Sequence, residues 1–139
     1  MTAVPQLVFC DTSFFYACLD PNDVNHMRAR LLVEGSASSG TTWCTTWDIV
    51  SETVTLLRYR RHFRAALAFL SDVKPDLQLV SYGDRVRDEA ERMFRTYARD
   101  HRLSFCDAIS FVVVTSLLDH VPCFTFDEDF RRLGLTVLP

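Results

Sequence analysis

The run Leu7-Val8-Phe9-Cys10-Asp11-Thr12-Ser13 decides the fold. An apolar stretch too short for a helix ends abruptly in an acid and two hydroxyl residues. It reads as a buried strand over Gln6–Cys10 that feeds a short helix over Thr12–Leu19. Asp20-Pro21-Asn22-Asp23 then makes a turn. Further on, Thr42–Thr45, Leu77–Ser81, Cys123–Phe126 and Leu135–Leu138 read as strands. Helical spacing covers Asp23–Gly35, with Met27, Leu31 and Leu32 turned toward a core and Ser36–Gly40 as a loop. It also covers Trp47–Arg61, Phe63–Val73 (Ala66, Leu67 and Leu70 inward), Asp84–Asp100 and Glu128–Leu133. Cys106–Asp119 is apolar almost all round, and its length favours a buried helix over the strand that Val112-Val113-Val114-Thr115 suggests. Strands alternating with helices imply an α/β protein with a mainly parallel sheet covered on both faces. In such sheets, sites gather at the carboxyl ends of the strands.

Asp11 closes the first strand, and Glu52, Asp107 and Asp127 stand at similar strand-to-helix junctions or in early helical turns. Each has a structural excuse. Asp11 and Asp127 fit helix N-caps, and Ser104-x-x-Asp107 fits a capping box. Glu52 lies too far into its helix to cap it, so its carboxylate is paired with an arginine or binds something. If the fold brings all four together, they repel by roughly 1 kcal/mol per pair in water and about 4 at an effective dielectric near 20. A hard cation such as Mg²⁺ or Mn²⁺ resolves that repulsion.

The length of 139 residues and the 48% hydrophobic fraction suit one domain with a real core, residues 1–139. No apolar run is long enough to span a membrane. Met1-Thr2-Ala3-Val4-Pro5-Gln6 lacks the pattern of an export signal, so the cytoplasm is the expected location. Five cysteines without a CxxC pair argue against a disulfide framework or a zinc site. The net charge of −3 looks wrong for a nucleic-acid binder, but neutralising the four acids with a cation would bring it to +1. Arg58-Tyr59-Arg60-Arg61-His62-Phe63-Arg64 is the one concentrated basic segment. Arg58, Arg60, Arg61 and Arg64 could rim an RNA site, with Tyr59 or Phe63 stacking on a base. A solvated junction between two helices, where cations suit the preceding helix C-terminus, is the favoured reading. The four histidines are scattered, and none sits at a strand end, which disfavours a histidine-based ribonuclease.

Taken in order, Val8-Phe9-Cys10-Asp11-Thr12-Ser13, Val50-Ser51-Glu52-Thr53, Leu103-Ser104-Phe105-Cys106-Asp107-Ala108 and Phe124-Thr125-Phe126-Asp127-Glu128-Asp129-Phe130 resemble the PIN-domain family. Within it they resemble the VapC-type toxins of bacterial toxin–antitoxin pairs. The resemblance implies a three-layer α/β/α sandwich and a metal-dependent endoribonuclease using Mg²⁺ or Mn²⁺. It matches Asp11, Glu52, Asp107 and Asp127 to the family's acids and Ser13 to a small polar position near the metal, with Asp129 as a fifth acid. It also implies an RNA substrate, an antitoxin partner and a homodimer. The bulky Phe14-Phe15-Tyr16 departs from the family pattern. Two other readings stay open: a PIN-like module that grips RNA or protein without cutting, and a phosphate-accepting regulatory domain using Asp11. The second lacks a well-placed lysine, since Lys74 is the only one and follows a helix into a proline loop.

Overall fold

The computed structural model describes residues 5–138; the reading of the first four residues lies outside that range. The chain runs β1 (Leu7–Cys10), α1 (Thr12–Leu19), α2 (His26–Ser39), β2 (Thr42–Thr45), α3 (Trp47–Arg60) and α4 (Phe63–Ala68). It continues through β3 (Gln78–Leu79), α5 (Asp84–Tyr97), α6 (Phe105–Val112), β4 (Cys123–Phe124), α7 (Glu128–Arg132) and β5 (Val137–Leu138). Among the described residues the five strands form one sheet in the order β3-β2-β1-β4-β5, and every pairing is parallel. Phe9 of β1 is in register with Cys44 on one side and Cys123 on the other.

Successive strand residues point to opposite faces. Val8, Phe9 and Cys10 are all fully buried, so both faces of the sheet are covered. This is the expected α/β sandwich. On one side Phe14 and Phe15 of α1 interlock with Trp43, Phe69 and Phe124; the Phe14–Phe124 and Phe15–Phe69 ring centroids are 4.9 and 5.1 Å apart. Such tilted contacts suit the aromatic quadrupole. Two members of the bulky triplet are therefore core. Tyr16 is not; it stays half-exposed.

Several boundaries differ from the sequence reading. Helix α2 starts later and runs on through Gly35 to Ser39, because the Ser36 hydroxyl donates to the Leu32 carbonyl and Gly40 supplies the left-handed cap at φ +65°. Its buried face is Ala29, Leu32 and Ser36, while Met27 and Leu31 are each 65% exposed. Leu67 is also exposed; Phe69 takes the inward position as α4 widens into a π-turn over Phe69–Val73. α6 likewise passes into a π-turn at Val113–Leu117, so its β-branched run is helical and buried at Val112–Val114. β3, β4 and β5 shrink to two residues each. All five cysteines are free, and Cys10, Cys44 and Cys123 are buried. No helix among the described residues is long and apolar enough to cross a membrane.

Candidate active site

β1 is the strand at which the connections diverge, to β2 on one side and β4 on the other. The crevice beyond the carboxyl end of such a strand is where α/β sheets bind ligands. Asp11 stands there. Its amide donates to the Phe124 carbonyl at 3.1 Å, extending the β1–β4 ladder by one residue. A cleft of about 330 Å³ opens at this point, lined by Asp11, Ser13, Glu52, Asp107 and Asp127 together with Thr12, Tyr16, Asp23, Asn25, Leu56, Arg60, Ser104 and Phe126. The four acids singled out in the sequence thus share one cavity with Ser13, and Asp23 lines it as a fifth.

The capping roles and the shared cavity coexist. Asp11 is the N-cap of α1, and its Oδ2 accepts from the Ser13 amide at 3.4 Å and the Ser13 hydroxyl at 2.9 Å. Asp107 closes the capping box with Ser104, whose amide donates to Oδ2 at 3.1 Å. Asp127 is the N-cap of α7, and its Oδ1 accepts from the Asp129 amide at 2.9 Å. These bonds engage one oxygen of each carboxylate, so capping consumes half of its acceptor capacity. Glu52 caps nothing. It is exposed to the cleft, forms no ion pair among the described residues, and accepts from the Cys106 thiol.

Thr125 is a member of the site that the sequence reading missed. Its hydroxyl donates to Asp11 Oδ2 at 3.0 Å and accepts from the Asp127 amide at 3.1 Å. It also lies 3.1 Å from the Ser13 hydroxyl, which in turn accepts from the Phe126 amide at 2.9 Å. The β4–α7 junction is thereby tied to the start of α1, and one Asp11 oxygen is locked in orientation. The only signal in the sequence is a hydroxyl residue two positions before an acid.

The electrostatics are those of crowded, desolvated acids. Burial, and next the neighbouring Asp11 carboxylate, push Asp107 up to about 7. Asp11 is raised by burial, against the hydrogen bonds from Ser13 and Thr125, with Asp127 adding to the rise. Asp127 is raised by burial as well. Burial, and then Glu52, Asp11 and Asp107, hold the Cys106 thiol protonated. The donors facing the cleft are oxygens, and no histidine lines it. That set fits a hard divalent cation. Among the described residues no three acid, imidazole or thiol side chains would enclose an ion unaided. One or two carboxylates plus water is the coordination that Mg²⁺ prefers.

The remaining candidates separate. Asp129 does not line the cleft; its carboxylate is nearly buried and pairs with Arg132 at 3.3 Å. The basic segment splits four ways. Arg60 lines the cleft, Arg58 lies over the Phe63 ring at 5.5 Å from its centroid, Arg61 pairs with Asp20 at 3.5 Å, and Arg64 is exposed and does not line the cleft. His62 caps α4 through the Ala65 amide, and the His26 ring nitrogen donates to the Ala17 carbonyl.

A family model described as the PIN domain matches residues 8–135. No curated protein sequence matches the chain. Among solved structures, the Mycobacterium tuberculosis toxin VapC20, which cleaves the sarcin–ricin loop, superposes with a TM-score of 0.80 at 27% identity. The match covers 93% of this chain and 96% of that one. VapBC2 from Rickettsia felis, solved bound to a promoter DNA fragment, matches in fold with a TM-score of 0.62 at 10% identity, over 95% and 97% of the two chains.

Proposed function

The chain belongs to the PIN-domain family, and from that premise we propose that it is a metal-dependent endoribonuclease, the toxin of a type II toxin–antitoxin pair. The observation that carries the reading is the meeting of Asp11, Glu52, Asp107, Asp127 and Ser13 in one cleft. The likeness to VapC20, an RNA-cleaving toxin by description, supports the substrate class.

Asp11 and Asp107 would hold Mg²⁺ or Mn²⁺, which would supply charge neutralisation for the phosphoryl oxygens and a lowered pKa for a water. Ser13 and Thr125 keep Asp11 aimed by occupying its Oδ2. Glu52 and Asp127, the less buried pair, orient the attacking water and receive its proton. The water oxygen bonds to phosphorus, the bond to the 3′ oxygen breaks, that oxygen takes up a proton from solvent, and the fragments carry 5′-phosphate and 3′-hydroxyl ends. Arg60 is the member of the basic segment that reaches RNA, because it alone of the four lines the cleft. The partners are RNA, an antitoxin and a second copy of the chain. Exposed Val24, Met27 and Leu31 offer apolar surface for a protein contact.

End analysis of the cut RNA tests the chemistry. The downstream fragments are expected to bear a phosphate at their 5′ ends that phosphatase removes. Upstream fragments ending in a 2′,3′-cyclic phosphate would contradict it, because the ribose hydroxyl, not water, would then be the nucleophile.

A further inference from the structure

The cleft extends beyond the acids. Glu52, Leu56 and Arg60 are spaced four apart, so they follow one face of α3 for about 12 Å. α1 packs beside it, with the Thr53 hydroxyl donating to Thr12 at 3.2 Å. Tyr16, one turn on from Thr12, faces the same channel. The groove therefore has Asp11, Glu52, Asp107 and Asp127 at one end, then Tyr16 and Leu56, then Arg60, with Asp23 and Asn25 from the turn after α1 also on its lining. Tyr16 is held in place: its hydroxyl donates to Asp20, which also accepts from the Asn22 amide and pairs with Arg61. Arg61 is thus spent on fixing the wall, while Arg60 is left for a ligand.

We infer that this groove is a nucleotide subsite, in which the base beside the scissile phosphate stacks on Tyr16 against Leu56 and the next phosphate meets Arg60. A half-exposed ring already fixed in position loses little entropy when a base stacks on it. Stacking accepts any base, so the subsite adds affinity and registers the strand without reading sequence. The inference rests on the nuclease reading for the role of the acids.

The test measures binding of a labelled single-stranded hexanucleotide RNA, and of each singly abasic derivative, in the Asp107→Asn background that blocks cutting. Tyr16→Leu should weaken binding about tenfold. Removing the base at one position should weaken binding by the same factor, with no further loss when both changes are combined. Tyr16→Phe keeps the ring and should bind within about twofold of Tyr16, which separates stacking from the hydroxyl contact. Arg60→Gln, a surface change, should reduce the slope of log affinity against log salt by about 0.7. Additive losses at every abasic position, or an unchanged salt slope, would overturn the subsite. The two readings fail separately. Coupling at Tyr16 with a parent chain that cuts no RNA would keep the subsite and sink the nuclease. Additivity with a parent chain that cuts, and an Asp107→Asn variant that does not, would do the reverse.

Discussion

Asp107 sits 9% exposed, caps its own helix through Ser104, and stands among the carboxylates of Asp11 and Asp127. Its native pKa of about 7 lies above the ordinary carboxylate value. Between roughly pH 4 and pH 7 the native state therefore binds more protons at this site than the unfolded chain. Its contribution to stability is present below the unfolded value and is lost as pH rises toward 7. Asp11 and Asp127, also raised, act in the same direction. The metal-free protein should melt at a higher temperature at pH 5 than at pH 8. Asp107→Asn should flatten that slope and gain up to about 4 kcal/mol over the parent chain at pH 8. Saturating Mg²⁺ should flatten it in the parent chain too. A parent chain whose melting temperature rises from pH 5 to pH 8 without metal would show that these acids are not coupled. At this scale the acids were legible because each follows a strand or opens a helix. Thr125 was not, because its importance comes from the β1–β4 pairing that sets it against Asp11. Nor was Tyr16, since a run of three aromatics does not reveal which ring the helix turns outward.

Among the elements, α2 shows where local pattern misleads. Met27, Leu31 and Leu32 have helical spacing, yet only Leu32 is buried, at 8% exposure. The helix turns its small residues, Ala29 and Ser36, toward the core. Leu31→Lys should leave folding stability within about 0.5 kcal/mol, whereas Leu32→Ala should cost about 2–5 kcal/mol. Urea unfolding of the two variants decides it; a large loss at Leu31 would mean that the helix is rotated from the position described. Glycine and serine near its end read as a loop because their propensities are poor, but a single left-handed Gly40 is what terminates it. α1, β2 and α3 were legible nearly to the residue: Asp11 and Thr46 cap the two helices by side-chain acceptance, and β2 spans Thr42–Thr45 as expected. β3, β4 and β5 are shorter than their sequence patterns suggest because those patterns run past the last residue that finds a ladder partner.

For the whole molecule, the parallel sheet follows from the alternation of strands and helices, and its order puts the acids at one crevice. A chain of net charge −3 presents RNA with an acidic pocket, so the proposed reaction needs a cation there to make contact productive. The central claim is that this cluster makes the chain a metal-dependent ribonuclease. The direct measurement is the rate of cutting of a labelled RNA pool with Mn²⁺ or Mg²⁺, with excess EDTA, and with Asp107→Asn in place of the parent chain. Cutting by the parent chain with metal, abolished by EDTA and reduced at least about a hundredfold in the variant, is the predicted result. Equal rates with and without EDTA, or an Asp107→Asn variant as fast as its parent, would contradict it.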